Sequence, residues 1–254
     1  TVSENPEEIG SEVIPPTKLK NNWVISPFEL LVNMYGVPNY NEVDPTLFLG
    51  VTYLILFVAM FGDVGQGLVL VLAGFLLRRK SKKGTDGRDY GEILFRIGMS
   101  STFFGFMYGS IFGDEEVLPA LIVRPLENIN FVLYSAIAFG VILLLISFGI
   151  SIYNLKREGD IKECLFGRNG LTGLVFYVSL LSFGLQMILG AVLIPNAVLA
   201  VIMIASLAAL LFKTPLYSII FKEEAHYEEG KGTYYIEGGF DLIETILSLL
   251  SNSI

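Results

Sequence analysis

The chain has 254 residues, of which 53% are hydrophobic and only 17% charged, and its mean hydropathy is +0.61. Soluble domains carry about 25% charged residues, and the deficit here is gathered into long uncharged stretches, which places the chain in the membrane class. One cysteine (Cys164) and one histidine (His226) cannot by themselves build a disulfide framework or a metal centre; the net charge of -8 lies in loops and tails, and no basic patch suits nucleic acid.

Residues 1–44 are polar and rich in turn formers, broken by Pro15-Pro16 and Pro38. They start TVSENPEEIG, with neither a methionine nor a basic-then-apolar leader, so the expectation is a chain cut from something longer. Phe28, Leu31, Val32 and Tyr35 recur at helical spacing, which predicts a short amphipathic helix between Trp23 and Tyr35 at the membrane surface. Asp44-Pro45-Thr46 predicts a helix start, an acid cap followed by proline at the first position.

From Leu47 to Leu77 the only charge is Asp63. One helix of that length would reach about 46 Å, against a hydrocarbon core of about 30 Å. Glycine and an acid coincide at Gly62-Asp63-Val64-Gly65-Gln66-Gly67, which predicts two short spans joined by a tight turn; one tilted helix is the competing reading. Ile93–Gly113 is the next apolar run, with Arg96 near its start, and Ile129–Tyr153 follows. Leu171–Phe212 is too long for one span and is divided at Pro195-Asn196. Phe240–Leu250 is the last apolar stretch. The expected fold class is all-α and integral to the membrane: a polytopic helical bundle with about six complete spans and the start of a seventh. Its parts are an interfacial segment over 1–44, a six-span scaffold over 45–220, an acidic loop over 221–237 and a seventh helix beginning at 238.

Positive charge near span ends stays in the cytoplasm. Arg78, Arg79, Lys80, Lys82, Lys83 and Arg88 follow the second expected span; Lys156, Arg157, Lys162 and Arg168 follow the fourth; Lys213, Lys222 and Lys231 follow the sixth. The 114–128 loop holds only Arg124 among its acids, and the turn at 195–196 holds no charge. This alternation predicts a multi-pass topology with the N-terminal segment, bearing Lys18 and Lys20, in the cytoplasm.

Several residues are candidates for more than packing. The 62–67 string looks like a nucleotide-binding glycine loop, but such a loop needs a strand before it and a soluble setting. The structural reading is a helix corner: Gly62, Gly65 and Gly67 let backbones approach while Asp63 caps the following helix. The functional reading is an acid lining an aqueous vestibule. Ser101, Gly105, Gly109 and Gly113 recur every four residues, which predicts a small-residue packing ridge on the third span. Arg96, about one turn inside its span, is expected to snorkel to the interface as an anchor, with a place on an ion path as the competing reading. Gln186 and Asn196 are polar groups in or between the last two complete spans, suited to an interhelical hydrogen bond or to a water-filled cavity. Asp241 and Glu244 stand at the mouth of the seventh span, with Ser248 one turn beyond Glu244 on the same face. Their acids either complement the positive helix terminus or collect ions at the entry of a half-channel. No catalytic group, metal centre or cofactor is expected.

The run PPTKLKNNWVISPFELLVNMYGVPNYNEVDPTLF, followed by FVAMFGDVGQGLVL, resembles the membrane-domain entrance of the V-type ATPase stator subunit, called subunit a in eukaryotes and subunit I in bacteria and archaea. FFGFMYGSIFGD resembles that family's third span, and FDLIETILSLLSNSI the start of its tilted seventh. The resemblance implies that residues up to about 30 are the returning tail of a cytoplasmic N-terminal domain, followed by the first of eight membrane helices, the last two of which cradle a rotating ring of small subunits. It implies two half-channels that carry a proton or sodium ion to and from the ring's carboxylates, a peripheral stalk and other rotary subunits as partners, and ATP chemistry located in other subunits. Glu244 matches the family's acid on the seventh helix, and Ser248 falls where a polar residue is frequent. An arginine further along that helix, which the resemblance implies separates the half-channels, is not reached by Ile254, so this stretch alone is expected not to couple ion flow to rotation. The competing functions are a polytopic secondary transporter, which would show matching polar breaks in two halves, and a membrane scaffold of unknown substrate.

Overall fold

The computed structural model describes residues 17–39, 41–115, 117–125, 127–190, 194–222 and 230–253. Among them the regular elements are helices, with one isolated bridge between Ile111 and Asp114. The chain forms two compact units, 1–129 and 130–254.

In the first unit a 3-10 turn at Ser26–Phe28 leads into α1 (Glu29–Tyr35). Phe28 is fully buried against Ile93 and Ile97, and Gly50 is small enough to let its ring lie flat on α2 (Thr46–Met60). The start of α2 is secured by Asp44, whose Oδ1 accepts from the Thr46 amide (2.9 Å) and hydroxyl (2.5 Å) while Oδ2 accepts from Asn21 Nδ2 (2.8 Å). Burial pushes the Asp44 carboxyl up, but these hydrogen bonds outweigh it and hold the group below the usual carboxylate range.

The apolar run of 47–77 is two helices. α2 ends at Met60 and α3 (Val64–Lys80) begins after a break at Phe61–Asp63. α4 (Asp86–Tyr108) returns antiparallel to α3 at main-chain distance. The close approach runs through glycines seven apart, Gly67 and Gly74 on α3 against Gly91, Gly98 and Gly105 on α4. A methyl group on Gly98 would sit 2.5 Å from the Val71 nitrogen, and one on Gly67 2.5 Å from the Thr102 nitrogen. The ridge expected at every fourth residue is thus only partly the contact line. Gly105 faces α3, whereas Gly109 ends α4 in a left-handed conformation (φ 74°) and Gly113 lies beyond it (φ 83°). Ser101 is fully buried and donates to the carbonyl of Phe61, which also accepts from the Asp63 amide across the break after α2.

Arg96 does not snorkel. Its side chain is 7% exposed, pairs with Glu92 at 2.9 Å, donates from Nη2 to the Trp23 carbonyl at 2.6 Å and lies 5.6 Å from the centre of the Trp23 ring. It ties the N-terminal segment to α4, because a buried guanidinium needs both a counter-charge and acceptors. Trp23 is the only tryptophan, so Arg96→Met should lower its fluorescence anisotropy in the detergent-solubilised protein; an unchanged anisotropy would show that something else holds the segment.

The second unit holds α5 (Ile129–Glu158), α6 (Ile161–Phe166), α7 (Leu171–Leu189), α8 (Asn196–Leu211), α9 (Lys213–Phe221) and α10 (Lys231–Ser253). Its core is Phe148, Phe176 and Tyr177, packed by Leu207 of α8 and Ile246 of α10. Gln186 serves its own chain end: Nε2 donates to Ser182 O and Oε1 accepts from Ile194 N, both at 3.3 Å. α10 starts at Lys231, ahead of the expected start at 238, so Asp241 and Glu244 lie within the helix and not at its mouth. His226 and the rest of 223–229 fall outside the described residues.

Among the described residues two helices are long and apolar enough to cross a membrane, Ile129–Glu158 and the run Ile161–Ile188; α8 and α9 make a third if the pair, bent by 85°, is one span. Six complete spans are not reached by this measure. α2 has 15 residues and α3 has 17, giving about 22 and 25 Å at 1.5 Å per residue, and α4 opens on a charged turn. Large apolar side chains nevertheless face outward along these helices; in α5 only Phe148 is buried. Helices apolar all round suit lipid as solvent, and the chain is an integral membrane protein.

Candidate functional site

The site grows from the sequence of α10. Tyr234, Glu237, Asp241, Glu244 and Ser248 step by three and four residues, so they share one strip of the helix. A second strip, Ile236, Phe240, Ile243 and Leu247, is apolar and well exposed. The third faces inward: Thr245 is buried and Ile246 packs on the Phe148–Tyr177 core.

Opposite the polar strip stands Arg168, in the turn between α6 and α7. That turn is FGRNGLTG, and its glycines are sterically required. A side chain on Gly167 or Gly170 would collide with the Glu163 carbonyl, and one on Gly173 with the carbonyl of Arg168 itself. The tight turn delivers Arg168 to α10, where Nη1 donates to Glu244 Oε1 at 2.7 Å and Nη2 to Ser248 Oγ at 2.8 Å. Glu244 and Ser248 are thus brought together on one cation. The pair is partly open, with 37% of the Arg168 side chain and 67% of the Glu244 side chain accessible, so as a stability element it contributes only about 0–1 kcal/mol. Its interest is geometric.

Two further ties frame the same region. Lys213 Nζ meets Glu163 Oε1 at 2.7 Å, joining α9 to α6. The Tyr234 hydroxyl donates to Leu211 O (3.1 Å) and accepts from Thr214 N (3.2 Å), satisfying groups that the break between α8 and α9 removes from the helical ladder. Between these ties lies a cavity of about 130 Å³ whose polar lining is Arg168, Lys213, Tyr234, Glu237, Asp241 and Thr245. It has room and partners for several waters. Asp241 therefore lines the cavity on the same strip as Glu244. Asn196 does not join them. It opens α8, whereas the cavity touches Leu210 and Leu211 at the other end, a separation of about 22 Å along the helix. Among the described residues no cluster of His, Cys, Asp and Glu suits a metal ion.

The sequence reading passed over Arg168, Lys213, Glu163 and Tyr234. Arg168 counted only as a topology marker, although a lone cation between glycines at the head of an uncharged run was a usable signal. Lys213 and Glu163 are far apart in sequence and carried none.

The first unit contains a different arrangement. Asp63 caps α3 through the Gln66 amide (2.8 Å) and also accepts from Phe112 N (2.9 Å), Gly113 N (2.8 Å) and Ser110 Oγ (2.8 Å). Phe112 and Gly113 both have positive φ, in a two-residue turn between Ile111 and Asp114 that aims their amides at the carboxylate. Gly62 lies close against Tyr108, and Gly65 against Phe112. The carboxylate is spent on closing a turn.

Comparison with known proteins agrees with these features. The model of the V-type ATPase 116kDa subunit family matches residues 1–117. The A-type ATP synthase subunit I of Archaeoglobus fulgidus is 30% identical over 185 residues, covering 63% of this chain and 27% of the relative. That of Pyrococcus horikoshii is 32% identical over 180 residues, covering 69% and 27%. The vacuolar proton translocating ATPase 100 kDa subunit of Dictyostelium discoideum is 34% identical over 132 residues, covering 48% and 16%. The match thus spans about a quarter of the length of the archaeal relatives. An all-helical membrane chain carrying this pattern belongs to the V-type ATPase 116kDa subunit family.

Proposed function

We propose that this chain supplies part of the static membrane sector of a rotary V-type ATPase or ATP synthase, and that the polar strip of α10 lines the mouth of a half-channel. The ion is a proton or sodium, delivered to a rotating ring of small membrane subunits, while ATP chemistry belongs to other subunits and a peripheral stalk holds the stator. The observation that carries this reading is the pairing of two strips on one helix. Glu237 and Asp241 line a polar cavity with room for water, Glu244 and Ser248 continue the strip beyond it, and beside them Ile236, Phe240, Ile243 and Leu247 present an exposed apolar surface on which a rotor helix can slide. Ionisable groups at membrane depth are costly and persist where they serve an ion path. In the assembled protein α2 and α3 act as a short hairpin, giving six spans and the start of a seventh, with the N-terminal segment in the cytoplasm.

The test uses the full-length subunit in its complex, reconstituted in vesicles. Glu244→Gln keeps the shape and removes the charge, and ATP-driven ion uptake should fall on the order of a hundredfold, the lower range for a positioned proton-transfer group. Normal uptake by a fully assembled mutant complex would remove Glu244 from the path.

A further inference from the structure

We infer that Arg168 is a positioning residue for the ion path: its guanidinium holds the Glu244 carboxylate in one orientation and ties it to Ser248, so that an arriving ion meets a pre-set acceptor. The inference rests on the half-channel reading of α10.

Three observations carry it. First, Glu244 and Ser248 are one helical turn apart, and the single guanidinium reaches both, at 2.7 and 2.8 Å from two different nitrogens. A planar fork does this with its geometry already set, whereas an ammonium is a point charge without it. Second, Arg168 is itself held from behind. Gly167, Gly170 and Gly173 admit no side chain against the main chain of 163–168, and the Thr172 hydroxyl donates to Leu165 O at 2.7 Å. The cation therefore stands on a rigid turn, which is what orientation of a reacting group requires. Third, the pair is open enough to exchange ions. Arg168 lines the cavity while Glu244 lies further along the strip, so a carboxylate still reachable by an ion is clasped from the cavity side.

The charged and titratable groups around Glu244 are Asp241 and Glu237 on its own helix, Tyr234 at the head of that helix, Arg168 from the turn before α7, and Lys213 of α9 with its partner Glu163 of α6. Lys213 is engaged at 2.7 Å by Glu163, and among the described residues Arg168 is the cation paired with Glu244. An exposed ion pair does little for folding, so a role in stability alone does not account for one guanidinium shared between Glu244 and Ser248.

The experiment compares Arg168→Gln and Arg168→Lys with the unaltered protein, in the full-length subunit within the assembled complex in vesicles. Transport rate is measured against pH and against sodium concentration, with complex assembly quantified in parallel. Arg168→Gln should change the half-saturating ion concentration by about fivefold, the equivalent of about 1 kcal/mol, the upper end for a half-open ion pair. Arg168→Lys should recover only part of that change, because it restores charge without the fork. Any residual transport of Glu244→Gln should be indifferent to Arg168→Gln, since the two act through one contact. A residue that merely docked α10 would lower assembly or maximal rate and leave the half-saturating concentration alone; that result, with Glu244→Gln inactive, overturns the inference while the half-channel reading stands. Full transport by Glu244→Gln removes that reading and the inference with it.

Discussion

Replacing Gly105 with leucine should leave the first unit unable to close. A side chain there would collide with the Val64 nitrogen and the Asp63 main chain, and one on Gly98 with the Val71 nitrogen at 2.5 Å and the Gly67 carbonyl at 2.8 Å. Overpacking a core costs about 1–3 kcal/mol when neighbouring side chains can rotate away. Here the obstacle is main chain, so α3 and α4 must separate and forfeit their shared contact; the expected loss exceeds about 3 kcal/mol for Gly105→Leu or Gly98→Leu. Gly140 and Gly149 on α5 provide the control, because a Cβ at either meets nothing within 4 Å. Alanine at those positions should be tolerated or stabilise slightly, by about 0.5–1 kcal/mol from helix propensity. Thermal unfolding of the detergent-solubilised full-length subunit measures both. Equal melting temperatures for Gly105→Leu and Gly140→Ala would mean that the two helices do not pack at main-chain distance.

The second large effect is expected at Asp63. Its carboxylate accepts four hydrogen bonds, three from main-chain amides and one from Ser110, and the residue is 5% exposed. Alanine would remove the acceptor and strand the buried Ser110 hydroxyl, at about 1–3 kcal/mol, while the amides of Gln66, Phe112 and Gly113 belong to exposed residues that water can reach. With the lost helix cap at about 1 kcal/mol, the total is about 2–4 kcal/mol. Asparagine keeps one acceptor oxygen but turns an amide donor toward the donors, so it should rescue little. Hydrogen exchange at the Phe112 and Gly113 amides reads the effect locally and should quicken strongly in Asp63→Ala. Protection equal to the parent would show that the 110–113 turn is held without the carboxylate.

How far these features are legible in sequence depends on the range of the forces behind them. The break at Phe61–Asp63 was readable because glycines and a capping acid act within one turn of chain; Pro195, read as dividing the 171–212 run, stands just before α8, while α7 ends earlier on left-handed Gly190. The α10 strip was readable in part, since a spacing of three and four residues needs only helix geometry. Its beginning was placed at 238, with 221–237 read as an acidic loop, yet 231–237 is helical and carries Tyr234, which stitches the α8–α9 elbow. The packing line on α4 was read at every fourth residue, whereas contact follows every seventh. An antiparallel neighbour meets one strip of a helix, and which strip is chosen depends on the neighbour.

Lipid as solvent and a helical fold follow from composition and uncharged runs, because hydrocarbon length and backbone hydrogen bonding impose those patterns on any chain that lives there; the family shows only in the short strings that resemble it. The partners of the ionisable side chains do not follow. Arg96 on Trp23 and Glu92, Arg168 on Glu244 and Ser248, and Lys213 on Glu163 mostly join residues many positions apart along the chain. A charge is satisfied by whatever lies within about 3 Å, and that proximity is set only when the helices have packed.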